Sequence, residues 1–159
     1  MFEKFKAMSK EEYCKKYKDG LRYSFGYDIC NKKDKVEIIG IRVYLPKRIF
    51  KEYKHIEDYK EILSFQETPF FEEFSNQIIK IDFEKKEFIA PNFFLKYDIE
   101  IIPYFSSQGY ETEKEINENQ FFKLLKQNNA KELSYACFFY CYGSMFCEEE
   151  YQYFCKIKQ

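Results

Sequence analysis

Four cysteines late in the chain, Cys137, Cys141, Cys147 and Cys155, have the spacing C-x3-C-x5-C-x7-C and form its sharpest-looking cluster of metal-capable thiols. Zinc sites bring thiolates together on tight knuckles, commonly C-x2-C pairs, because two sulfurs must reach one tetrahedral ion. No such pair occurs here. On one strand Cys137 and Cys141 would share a face yet stand about 13 Å apart, at about 3.3 Å per residue, too far for one ion. Reduced thiols packed in a core are expected for these four and for Cys14 and Cys30. No metal and no cofactor is expected.

Asp82, Glu84 and Lys86 carry the residue types of a metal-dependent nuclease of the D-(D/E)-x-K kind, in which acids hold a divalent ion and a lysine positions the water. Similar short patterns recur at Glu52-Tyr53-Lys54 and Asp58-Tyr59-Lys60, and a charged hairpin tip explains Glu84 to Lys86 equally well. His55, the single histidine, sits between Lys54 and Ile56 in an amphipathic stretch, where a surface or half-buried helix position is the plainer reading. No G-x-S-x-G, G-x-x-x-x-G-K-[ST] or G-x-G-x-x-G is present, and five glycines leave little for a phosphate-cradling loop. These observations point away from an enzyme.

Acidic stretches lie at 57–73, 111–118 and 148–150, the last two beside tyrosines. Carboxylates next to Tyr suit docking on a basic protein, because complementary fields speed encounter and tyrosines anchor interfaces. The candidate partner-binding residues are Tyr110, Glu111, Glu113, Glu115, Glu118, Glu148, Glu149, Glu150 and Tyr151.

Charge is split along the chain. Residues 1–54 hold 15 basic and 8 acidic residues, and the remainder holds 11 and 19, which leaves a net charge of −1. Such asymmetry can mark a partner. Arginine is scarce, with Arg22, Arg42 and Arg48 against 23 lysines, and the pI near 6.0 lacks a nucleic-acid footprint, so nucleic acid ranks second as a partner. Phe and Tyr supply 19 and 15 of the 159 residues with no Trp, a composition that AT-rich codons favour. A charged N-terminus and the lack of any long apolar run predict a cytoplasmic protein that contacts no membrane.

These residues need positions, and hydrophobic periodicity supplies them. Ser9 and Glu12 form an S-x-x-E start for a first helix that stops at Gly20. Period-two alternation from Leu21 to Cys30, a polar turn and a second run Val36 to Leu45 read as an antiparallel hairpin. Apolar residues from Ile49 to Leu63 recur three or four apart and predict one long helix, and Thr68-Pro69 predicts a short one through Phe74. Ile78 to Phe83, Glu87 to Ala90 and Leu95 to Tyr104 read as a three-strand meander, and Ser106 to Glu118 as a mobile loop. Asn117 and Gln120 cap a last helix, before strands over Ser134 to Tyr142 and Glu149 to Ile157.

The expected fold is therefore α+β, one domain over 1–159, with a mostly antiparallel sheet of six or seven strands and three or four helices. In general character, a small α+β chain with acidic patches and AT-rich composition is similar to bacterial toxin-immunity proteins and to phage-encoded antagonists of host defence. That resemblance implies a stoichiometric inhibitor of a basic, nuclease-type toxin. The alternative is a nucleic-acid-binding or metal-dependent nuclease-type accessory.

Overall fold

In a computed structural model the described residues are 3–32, 35–54, 58–109, 113–136 and 144–157. In chain order the elements are α1 (Glu3–Lys6), α2 (Lys10–Tyr17), β1 (Leu21–Lys32), β2 (Lys35–Leu45), a 3-10 turn (Lys47–Ile49), α3 (Tyr59–Gln66), α4 (Pro69–Ser75), β3 (Ile78–Asp82) and β4 (Glu87–Ile89). There follow α5 (Asn92–Lys96), β5 (Glu100–Gln108), β6 (Glu113–Glu115), α6 (Glu118–Gln127), β7 (Glu132–Tyr135) and α7 (Ser144–Lys156). No helix among the described residues is long and apolar enough to cross a membrane.

The seven strands form one sheet in the order β4-β3-β7-β1-β2-β5-β6, and every neighbouring pair is antiparallel. Five strand spacings of about 4.8 Å separate β4 from β5, so a flat sheet would hold them roughly 24 Å apart. Instead the rings of Phe88 on β4 and Phe105 on β5 lie 6.1 Å apart, centre to centre. The sheet is thus curled into an incomplete barrel. Phe121 of α6 stacks on Phe105 at 4.4 Å and fills the enclosed side.

Leu21 to Phe25 are buried without interruption, although successive strand side chains point to opposite faces. Both faces of β1 are therefore covered. On the concave face, Tyr23 and Phe25 meet Phe71 and Phe74 of α4, and Phe25 also meets Phe94 of α5, at 5.1 to 5.8 Å and mostly edge-on. Edge-on aromatic pairs add about 0.5–1.5 kcal/mol each beyond the area they bury. On the convex face lie α1, α2 and α7, where Phe5 stacks on Phe154 at 5.1 Å and Tyr17 meets Tyr44 at 5.0 Å. A Cβ on Gly20 would stand 1.8 Å from the Tyr44 ring, so this residue yields to a neighbour's side chain, whereas α2 ends earlier than expected, at its C-cap Lys18.

The α+β class and the antiparallel sheet agree with the sequence reading, as do the β1–β2 hairpin, the Ser9, Thr68 and Asn117 caps, and strands β3 and β4. Several elements differ. There are seven helices among the described residues instead of three or four, partly because short α1 and α5 leave no clear periodicity. The single helix expected over Ile49 to Leu63 is replaced by the 3-10 turn and by α3, which starts where the Asp58 side chain accepts the Lys60 N–H. Leu95 belongs to α5, and Asp98 at φ 52 turns the chain before β5 begins. β5 pairs with β2, not β4, so the expected meander stops at two strands. The expected loop at 106–118 contains the end of β5 and all of β6. Glu149 to Ile157, read as a strand, falls mostly within α7, whose buried residues Cys147, Glu150, Tyr153 and Phe154 keep helical spacing.

Candidate functional site

α7 carries four of the candidate partner-binding residues, and its burial divides them. Glu150 faces the sheet and is fully enclosed, with Oε1 2.5 Å from Nε of Arg22. The Arg22 guanidinium also donates to the Tyr17 and Gly20 carbonyls at 2.7 and 3.1 Å and to Cys147 Sγ at 3.1 Å. Burial pushes the Glu150 carboxyl up, against the pull of Arg22 and Arg42. It also pushes the Cys147 thiol up to about 11, against Arg22. Among the described residues neither Glu150 Oε2 nor the Tyr13 hydroxyl, both buried, has a hydrogen-bond partner. Glu150 therefore leaves the expected docking surface, because its charge is spent inside the fold.

Tyr151 is half-buried. Its hydroxyl donates to the Met8 carbonyl at 3.1 Å and its ring lies 5.8 Å from that of Tyr13, so it ties α7 to the α1–α2 connection. Glu148 and Glu149 are exposed, and Glu148 lies 3.9 Å from Lys10.

β6 brings the second group to the same side. Its register with β5 pairs Glu115 with Ser106 and Glu113 with Gln108, and Ser106 is paired through Gly40. Cross-strand partners share a face, so Glu113 and Glu115 lie on the convex face that α7 covers. There Arg42 is within 3.3 Å of Glu113 and stacks 3.9 Å over the Tyr104 ring. The Tyr104 hydroxyl donates to Glu115, and burial together with that bond raises the phenol. Tyr104 in turn stacks on Tyr153 of α7 at 4.2 Å. Glu118 is half-buried at the first turn of α6, behind the Asn117–Gln120 capping box. Tyr110 and Glu111 lie outside the described residues.

Sequence reasoning missed Arg22, which the alternation of its strand gives to solvent, and Arg42, which lies in a run read as apolar on both faces. The signal available was the scarcity of arginine itself. A chain that uses lysine almost everywhere keeps its three forked cations for sites that need several donors in a plane. Arg48 follows suit, donating to the Tyr97 carbonyl at 2.7 Å beside Asp98 at 3.0 Å.

The nuclease-like triad serves a turn. Asp82 Oδ1 accepts the N–H groups of Glu84 and Lys85, Lys86 has φ 51, and its Nζ donates to Asn119. Of the cysteines, Cys147 is buried and Cys155 exposed on α7, and Cys14 is half-buried on α2. Cys137, Cys141 and His55 lie outside the described residues. No group of three His, Cys, Asp or Glu side chains among the described residues is arranged to hold a metal ion. Comparison with family models, with curated proteins and with solved structures gives no match for this chain.

Proposed function

We propose that the chain is a protein-binding inhibitor of the toxin-immunity kind, which covers a basic partner with the acidic rim around α7. One observation carries this reading. The β6 register turns Glu113 and Glu115 toward the convex face, where Glu148 and Glu149 stand exposed on α7. Glu149 precedes Tyr153, which stacks on the Tyr104 that binds Glu115, by four residues, about 6 Å of helix axis. Carboxylates spaced along such a rim steer a cationic surface and fix its register more than they add raw affinity.

The test is capture from the native host with the Glu148→Lys/Glu149→Lys variant as control. Wild type should retain a stoichiometric basic protein that high salt releases, and the charge reversal should weaken it by about tenfold or more through the association rate. Failure to retain a stoichiometric partner, or equal retention by the variant, sinks the reading.

A further inference from the structure

Among the described residues the curled sheet does not close: β4 pairs only with β3, and β6 pairs with β5 only at Ser106 to Gln108. Beyond that point Ile116 still donates to the Phe105 carbonyl at 3.2 Å, and then the chain turns away into α6. The Tyr153 hydroxyl takes over at this departure, accepting the Phe105 N–H at 3.1 Å and donating to the Ile116 carbonyl at 2.6 Å. From Glu100 to Pro103 the outer edge of β5 has no strand beside it among the described residues.

The space in front of this edge is a groove of about 330 Å³, lined by Glu100, Ile101 and Pro103 of β5, by Glu87, Phe88 and Ala90 at β4, and by Lys4 and Phe5 of α1. Two free strand edges thus face one cleft. Its interior is apolar and its rim is charged. Glu100 is already held by Lys4 at 2.8 Å and Lys16 at 3.1 Å. Glu87 is exposed on the opposite wall and has no cation within 4 Å among the described residues.

We infer that this seam binds an extended segment of a partner protein, taken up as an added strand antiparallel to β5 in the line that β6 abandons, with a lysine or arginine against Glu87. Strand addition draws affinity from main-chain hydrogen bonds and specificity from side-chain pockets, and an unpaired edge beside an apolar groove offers both. The free edge has room for about four residues at about 3.3 Å each. Pro103 contributes a carbonyl but no N–H, which confines the paired register to the residues before it. β4 and β5 run antiparallel to each other, so one added strand can be antiparallel to only one of them. The longer β5 is that one.

The acidic rim around α7 is a separate surface, and the two proposals stand or fall independently. A phage-displayed random nonapeptide library is selected on the full-length protein, and the enriched peptides are synthesised and titrated by fluorescence anisotropy. Expected are sequences alternating apolar residues with a lysine or arginine, and amide shift changes centred on residues 87–90 and 99–103. Ala90→Trp, which fills the groove from one wall, should weaken binding at least tenfold, and Glu87→Lys severalfold, with Glu148→Lys/Glu149→Lys unchanged. Should Ala90→Trp fail to fold, the exposed Glu87→Lys variant and the amide map decide the matter. No enrichment over an empty support, unaltered binding to the groove variants, or shift changes confined to another face would overturn the inference.

Discussion

Arg22 and Glu150 have no route to water, and each is the other's chief compensation. Removing one partner of a buried pair leaves an uncompensated charge and costs about 3–5 kcal/mol, whereas replacing both with apolar residues of similar volume is often close to neutral. Arg22→Met should therefore lower the unfolding free energy obtained from urea titration by an amount in that range, and Arg22→Met/Glu150→Leu should recover more than half of the loss. A single substitution costing under about 1 kcal/mol would show that the pair contributes nothing to holding α7 on the sheet. Cys147, which shares the Arg22 guanidinium, was visible in the sequence as a core thiol. Its arginine partner was not, because the two are 125 residues apart.

Among the elements, α6 has the most complete local code. Asn117 accepts the Gln120 N–H at 2.8 Å, and the Gln120 side chain accepts the Asn117 N–H at 3.1 Å. Asn117→Ala removes one half of that box and should cost about 1 kcal/mol, or roughly 2–4 °C of Tm for a domain near this size. A calorimetric scan showing no change would mean that packing of Phe121 and Phe122 holds the first turn without the cap. Caps of this kind were legible because they depend on residues three apart. α7 was not, since Tyr151, Tyr153, Cys155 and Ile157 alternate as a strand would, while Cys147, Glu150, Tyr153 and Phe154 fit a helix equally well. Only the place of burial distinguishes the two patterns.

Across the whole molecule the charge split acquires a structural use. Six ion pairs between described residues each join a cation from the basic first 54 residues to an acid from the remainder: Lys4 and Lys16 to Glu100, Lys10 to Glu148, Arg22 to Glu150, Arg42 to Glu113 and Arg48 to Asp98. Much of the asymmetry is therefore spent on bringing α1, α2 and β2 against β5, β6 and α7. Glu100 is the hub. Burial alone would raise its carboxyl, but hydrogen bonds from Lys4, Tyr17 and Lys16 outweigh it and hold the group below the usual 4.5. A carboxyl depressed in the folded state contributes stability above its unfolded pKa and loses it as pH falls through the folded value. Wild type should lose stability below about pH 4.5, and Glu100→Gln, less stable at neutral pH, should show a flatter acid limb in urea titrations. Parallel acid limbs would show that Glu100 does not couple α1 and α2 to the sheet.

The amino-acid sequence by itself determined the α+β class, the β1–β2 and β3–β4 hairpins and the caps at Ser9, Thr68 and Asn117, because these rest on contacts between near neighbours and on side-chain periodicity. Tertiary structure alone decided that Arg22 and Arg42 face inward under α7, that Glu150 and most of Tyr151 are withdrawn from the acidic rim, and that β5 pairs with β2. It also decided the curl that brings β4 to the free edge of β5. Each of these depends on which faces are covered and on which distant strands adjoin, and no local spacing encodes that information.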